Sequence, residues 1–250
     1  EYIASQINEH QSPKILSVGS GPCGLELYIA SLITRSYEFD CLDINERNLN
    51  LGRAKALERG IKLPTIVQDA NYLKLNSQYD FIIAHASLHH LIRLEHIFTE
   101  IQEYLTGSGM FFVYEPTPRN GMLLWPETHS LIQNIWKILP EQYRYERSGE
   151  KTVILRSEYP ERDVSVDGFE CIRSQDIVPL LEQYFTVVHK FHGHAYIRRF
   201  VDREFGQNYD LKKDSDKTLL DALILMDDYL VSNGYLKPET IFYVLKKKLA

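Results

Sequence analysis

The feature that most constrains this chain is an alternation, between residues 14 and 115, of short apolar runs with helix-forming segments. Lys14–Val18 (KILSV), Tyr37–Leu42, Pro64–Val67, Asp80–Ala84 (DFIIA) and Met110–Tyr114 read as strands. They are short and apolar, as strands buried on both faces are. Gly24–Leu32, Asn45–Arg59 and Arg93–Leu105 read as helices between them. Asn45 is placed to cap the second helix, with Gly60 just past its end. In the third, Leu94, Ile97, Phe98, Ile101 and Leu105 recur at helical spacing, with Gly107 as the stop. Strand–helix–strand units this closely spaced call for right-handed crossovers. The expected fold class is therefore α/β, a mostly parallel sheet with helices on both faces.

The alternation breaks after the fifth strand. Residues 116–172 carry several prolines, a Trp125-Pro126 pair and a helical stretch at Glu127–Leu139, and read as an insertion. The expected organisation is one domain over 1–250, with 116–172 as a lid over an acceptor. The alternation resumes with a helix at Ser174–Tyr184 behind a Ser174 cap and a strand at Phe185–Phe191. A long helix at Ser215–Ser232 and a final strand at Thr240–Leu245 follow.

The turn Gly19-Ser20-Gly21-Pro22-Cys23-Gly24 joins the first strand to the first helix. Glycines there allow positive φ and let a ligand approach the backbone. Free N–H groups at the helix start favour an anionic group. Asp43 ends the second strand, about twenty residues beyond the glycines, where a carboxylate accepts the hydroxyls of a ribose. A nicotinamide dinucleotide and S-adenosylmethionine both fit these two features. Gln68-Asp69-Ala70, at the end of the third strand, offers a carboxylate to an adenine amino group and a backbone N–H to its ring. The fourth strand runs into a His-rich turn, His85-Ala86-Ser87-Leu88-His89-His90.

In this order the four motifs resemble the class I S-adenosylmethionine-dependent methyltransferases, in particular the small-molecule group called type 11 or type 12. The resemblance covers residues 14–115 and implies a Rossmann-like sheet of seven strands, the last antiparallel. It implies that Gly19, Ser20, Gly21 and Gly24 line the cofactor's methionine end and that Asp43 holds the ribose. Ile44 would lie against the adenine, Asp69 and Ala70 would read its edge, and the His85 carbonyl would sit beside the ammonium. S-adenosylhomocysteine would be the product. The family often has an acidic residue where Ser17 stands, so part of the usual ammonium binding is missing at that position.

Methyl transfer from a sulfonium is an in-line displacement, so the protein chiefly aligns the acceptor and excludes water. A hydroxyl acceptor needs a base, and His89 is read as that base. An anionic acceptor needs cations instead, for which Arg119 and Arg198, with Arg199, stand near strand ends. Trp125, Trp136, Phe112, Tyr114, Tyr143 and Tyr145 make the insertion and its approach aromatic. Trp125, His192 and His194 join Arg119 and Arg198 as expected acceptor-binding residues. His192 and His194 have period-two spacing but no third ligand, so no metal is expected.

The net charge of −6 and the lack of a basic stripe argue against nucleic acid. After the fourth strand there is no Asn/Asp-Pro-Pro-aromatic turn of the kind used on adenine or glutamine amides. No apolar run is long enough to span a bilayer. Three scattered cysteines suggest a reducing, cytoplasmic setting. The expected partner is a small-molecule acceptor, methylated on O or N, with the oligomeric state unspecified. Two other readings use the same glycine turn: an NAD(P)-dependent oxidoreductase, and a non-catalytic cofactor-binding regulatory domain of a larger protein.

Overall fold

Five parallel strands form one side of the sheet: β1 (Lys14–Val18), β2 (Glu38–Asp43), β3 (Thr65–Val67), β4 (Tyr79–His85) and β5 (Leu105–Pro116). The structure is a computed structural model and describes residues 1–148 and 152–248. Residues 149–151, within the expected insertion, lie outside the described residues.

The period-two geometry of a strand sorts side chains between two apolar layers. From β4, Phe81 and Ile83 enter one layer with Ile7, Leu27, Ile29 and Leu49. Ile82 and Ala84 enter the other with Ile97, Phe98, Ile177 and Leu181. The first layer is covered by α1 (Tyr2–Asn8), α2 (Gly24–Leu32) and α3 (Glu46–Glu58). The second is covered by α4 (Leu94–Tyr104) and α7 (Ser174–Tyr184). Each fully buried Leu, Ile or Phe contributes about 1.5–3 kcal/mol, so these two layers hold the sheet and its strand ends in place.

The strand order is β3-β2-β1-β4-β5-β9-β8, with β8 at Phe185–His192 and β9 at Thr240–Lys247. β9 runs antiparallel to both β5 and β8, so the sheet has seven strands and is mostly parallel, as expected. The chain leaves β1 toward β2 and β3 and returns to β4 on the opposite side. Such a reversal opens a crevice at the carboxyl ends of β1 and β4, where ligands bind in open α/β sheets.

Local expectations hold where local chemistry decides. Asn45 caps α3 and accepts from Asn48 N, and Gly60 follows that helix with φ +66°. Gly107 is not a helix stop: α4 ends at Tyr104, and Leu105 already pairs with Tyr79 as the first residue of β5. Ser174 is not an N-cap but the first residue of α7, and its side chain is buried. Arg173 precedes it and bonds Glu95 and Asp176 instead.

The departure from simple alternation is larger than expected. The insertion holds α5 (Pro126–Ile138), a hairpin of β6 (Tyr145–Ser148) and β7 (Thr152–Leu155), and α6 (Ser165–Gly168). A second excursion between β8 and β9 holds α8 (Arg198–Val201) and α9 (Asp214–Ser232). The two share one apolar cluster, in which Trp136, Tyr143 and Tyr159 meet Tyr196, Phe200, Phe205 and Leu223. The long helix at residues 214–232 therefore belongs to this cap and is not another sheet-covering unit. Arg199 ties the pieces together through Glu239 at 2.8 Å and the Met122 carbonyl at 3.1 Å.

Candidate active site

The glycine turn sits in the crevice between β1 and β4. Gly19 and Gly21 have φ of +72° and +52°, and Cys23, just before α2, is left-handed at +57°. A Cβ on Gly19 would collide with the Cβ of Ser87, whose hydroxyl donates to the Val18 carbonyl at 2.8 Å. Gly19 N and Ser20 N both donate to the Leu42 carbonyl, at 2.7 and 3.0 Å. Gly21 N donates to Asp43 Oδ2 at 2.8 Å, and Asn45 N donates to Asp43 Oδ1 at 2.7 Å. The turn and Asp43 thus form one unit.

A cavity of about 330 Å³ lies over this turn, lined by Gly19, Ser20, Gly21, Gly24, Glu26 and His85 among others. Glu26 escaped the sequence reading. Its carboxyl is 2% exposed; Oε1 accepts from Ser17 Oγ at 2.6 Å, and Oε2 has no partner among the described residues. Burial holds the Glu26 pKa above the usual carboxylate range, with the Ser17 hydroxyl opposing. From α2, Glu26 thus brings a carboxyl group up to Ser17. Its one sequence signal is an acidic residue on an otherwise apolar helix face.

Farther along the strand ends, Ile44 is 66% exposed beside Asp43. Asp69 Oδ1 accepts from Asn71 N and Nδ2 at 2.9 and 3.0 Å, and Ala70 is buried at the start of the turn that follows. The His85 ring stacks on Tyr114 with centroids 5.2 Å apart. Burial lowers its pKa, with Glu115 opposing.

Past β4, the turn Leu88–His90 places His89 against Glu115. Glu115 is fully buried at the end of β5, and His89 is 4% exposed. Glu115 Oε1 accepts from Ser87 N at 2.7 Å and from Leu88 N at 2.8 Å. Glu115 Oε2 lies 2.7 Å from His89 Nδ1. Glu170, from the insertion, faces the other ring nitrogen, with Oε1 3.4 Å from Nε2.

His89 borders a second cavity, of about 620 Å³, between the strand ends and the cap. Ala86, Tyr114 and Pro116 form its floor, and Met122, His194, Ile197, Arg198 and Ile224 its upper wall. Of the expected acceptor-binding residues, Arg198 and His194 line this cavity. His194 Nε2 meets the Thr240 hydroxyl at 3.2 Å, and burial lowers its pKa. Arg119, Trp125 and His192 do not line this cavity. The Arg119 guanidinium donates to the Leu124 carbonyl within its own turn. Trp125 and His192 line a separate cavity of about 280 Å³ beside α7. His192 and His194 part company because β8 ends at His192, and the chain turns at Gly193.

These residues fit S-adenosylmethionine. The glycine turn leaves room for its amino-acid end, Glu26 offers an unsatisfied oxygen to a cation, and Asp43 and Ile44 follow in sequence along the crevice.

Comparison with known proteins agrees. Residues 15–109 match the family model described as a methyltransferase domain. Over 117 residues, 45% of this chain, the sequence is 24% identical to the ubiquinone biosynthesis O-methyltransferase of Rickettsia canadensis. That match spans 48%, about half, of the relative's own length. Among solved structures, an S-adenosylmethionine-dependent methyltransferase from Clostridium acetobutylicum superposes with a TM-score of 0.53 at 14% identity. The alignment covers 98% of this chain and 89% of that one. The O-methyltransferase of a trans-AT polyketide synthase multienzyme from Brevibacillus brevis, solved with S-adenosylhomocysteine, gives 0.54 at 13% identity. It covers 98% of this chain and 71% of that one. No described helix is long and apolar enough to cross a membrane. Residues 15–109 therefore match a methyltransferase domain, and the fold of the chain is the one seen in solved S-adenosylmethionine-dependent methyltransferases.

Proposed function

We propose that this chain methylates a hydroxyl oxygen of a small organic acceptor held between the strand ends and the cap. His89 is the general base, and Glu115 is the residue that positions it. The observation that carries this reading is the buried His89–Glu115 pair beside the larger cavity. Two backbone amides occupy Glu115 Oε1, so Oε2 is left to accept Nδ1–H of His89. That tautomer puts the lone pair on Nε2, on the side of the ring that Glu170 faces at 3.4 Å and that borders the cavity.

A hydroxyl is protonated at neutral pH and calls for such a base, whereas an anionic acceptor calls for cations. Of Arg119, Arg198 and Arg199, the larger cavity is lined by Arg198 alone. Held at the glycine turn, S-adenosylmethionine would supply an activated methyl carbon and would leave as S-adenosylhomocysteine. His89 Nε2 would take the proton of the acceptor hydroxyl as its oxygen is methylated. The Glu115 carboxylate stabilises the imidazolium that forms.

The remaining roles follow from position. Gly19, Ser20, Gly21 and Gly24 cradle the amino-acid end, and the His85 carbonyl and Glu26 Oε2 receive its ammonium. Asp43 holds the ribose, while Ile44, Asp69 and Ala70 frame the adenine. The insertion and the second excursion act together as a lid that keeps water from the reacting atoms. Two of the similar proteins named above are O-methyltransferases, in keeping with an oxygen acceptor.

The test is S-adenosylhomocysteine release from a panel of hydroxyl-bearing metabolites and phenols, with His89→Ala as the control. The variant's kcat should fall by about 10²–10⁴, the range of general-base catalysis. Unchanged turnover in the variant refutes the assignment.

A further inference from the structure

Three ligand atoms converge beside the larger cavity, and the methyl-transfer reading uses one of them. His89, His90 and Glu170 each present a donor, all within 4.8 Å of one another. His89 Nε2 lies 3.4 Å from Glu170 Oε1, and His90 Nδ1 lies 3.5 Å from Glu170 Oε2. Donors on a tetrahedral ion, with bonds of about 2.0–2.2 Å, sit roughly 3.3–3.6 Å apart. Each ring nitrogen already stands at such a separation from one oxygen of Glu170. The two rings come from one short turn, Leu88–His90, and their centroids are 4.0 Å apart.

Two further features hold the donors in place. Behind His89, the fully buried Glu115 engages Nδ1 at 2.7 Å. An outer carboxylate of this kind fixes the tautomer that leaves Nε2 for a metal. Glu170, for its part, stands between Phe169 and Cys171, both left-handed with φ of +55° and +54°. Such backbone costs about 1–3 kcal/mol per residue and persists where the surroundings impose it. Here the neighbouring backbone is pinned: Ile172 N donates to the His89 carbonyl at 3.1 Å, and Gly121 N to the Cys171 carbonyl at 2.9 Å. His90 Nδ1 meets the Phe169 carbonyl at 3.1 Å, a hydrogen bond that metal ligation would exchange.

We propose that His89, His90 and Glu170 form a site for a divalent transition metal ion of the zinc class, and that the ion switches the enzyme off. Two imidazoles and one carboxylate suit zinc, cobalt or ferrous iron, whereas magnesium and calcium prefer all-oxygen sets. The fourth position opens toward the cavity that His89 and Glu170 line. The inhibitory half rests on His89 being the base, because the ion takes the Nε2 lone pair that would receive the proton. Metal occupancy and base catalysis are then mutually exclusive.

The test begins with metal-free protein titrated with Co²⁺ and read by visible absorption. Wild type should saturate at one equivalent with d–d bands of tetrahedral intensity. His90→Ala and Glu170→Gln should each weaken binding at least tenfold, and calorimetric binding of S-adenosylmethionine checks that both remain folded. His90 is exposed, so His90→Ala should keep its metal-free turnover. Zn²⁺ should then inhibit wild type and spare His90→Ala. Absent bands, or equal Co²⁺ affinity in wild type and both variants, overturn the site. Binding with undiminished turnover overturns the switch. The absorption is read without an acceptor, so failure of the methyl-transfer reading leaves the metal result standing.

Discussion

Replacing Glu115 by Gln keeps the size of the side chain and removes one acceptor. In the native protein Glu115 accepts from two backbone amides at 2.7 and 2.8 Å and from His89 Nδ1 at 2.7 Å. Gln has a single carbonyl oxygen to serve both demands. If that oxygen stays on the amides of Ser87 and Leu88, its NH₂ group faces His89 Nδ1. The ring proton then moves to Nε2, and the lone pair that acts as base disappears. If the amide turns over, two backbone donors face an NH₂ group in a fully buried position, at about 1–3 kcal/mol each. The first arrangement therefore wins. General-base catalysis supplies about 10²–10⁴ in rate, roughly 3–5 kcal/mol of the barrier. The Glu115→Gln protein should lose kcat by that factor. Its KM for S-adenosylmethionine should stay within about twofold of wild type, because the glycine turn keeps its bonds to Leu42 and Asp43. Steady-state S-adenosylhomocysteine release from a hydroxyl acceptor, both substrates saturating, reads the effect between about pH 6.5 and 9. In the variant, kcat should climb with pH without levelling, since hydroxide replaces the lost base. Thermal melts run alongside establish that the fold survives. A folded variant whose kcat lies within about threefold of wild type refutes the positioning role of Glu115.

Three other perturbations separate the parts of the site. Burial raises the folded-state pKa of Glu26 above its unfolded value, so this group's stability contribution is full at acid pH and is lost as pH rises through the folded value. Glu26→Gln should therefore melt higher than wild type by a margin that widens as pH rises above the free carboxyl's range and levels off beyond the folded value, while its S-adenosylmethionine affinity falls about tenfold. A melting difference that shrinks with rising pH would sink the sign of this argument. Gly19→Ala meets both a positive φ and the Ser87 Cβ, at a cost of about 2–4 kcal/mol, which lowers the melting temperature and abolishes cofactor binding. Normal calorimetric binding there would show that the turn is not the cofactor's seat. Trp136→Ala removes the centre of the cap core, an indole packed on Tyr159 and Phe205, at about 3–5 kcal/mol. It should abolish turnover and spare S-adenosylmethionine binding, and equal loss of both would contradict separate cap and cofactor layers.

The sequence by itself determined the sheet and the order of the motifs along its edge. Strand periodicity, the glycines, and Asp43, Asp69 and His85 are properties of short segments. In a parallel sheet the residue after each strand arrives at the same edge, so reading the motifs in order was enough to line up one crevice. Tertiary structure decided the rest. Glu115 had no local signal; it meets His89, 26 positions earlier, because β4 and β5 are parallel neighbours. Glu26 meets Ser17 because α2 folds back over β1, a contact no spacing rule contains. The helix at residues 214–232 looked like one more covering element because amphipathic periodicity shows that a face is buried without showing against what. Arg119 and Trp125 stood in the right segment but turned away, since an irregular insertion has no period to say which side chains share a wall. Local chemistry lined up the glycine turn, Asp43, Asp69 and His85, and long-range packing brought His89, Glu115 and the larger cavity together.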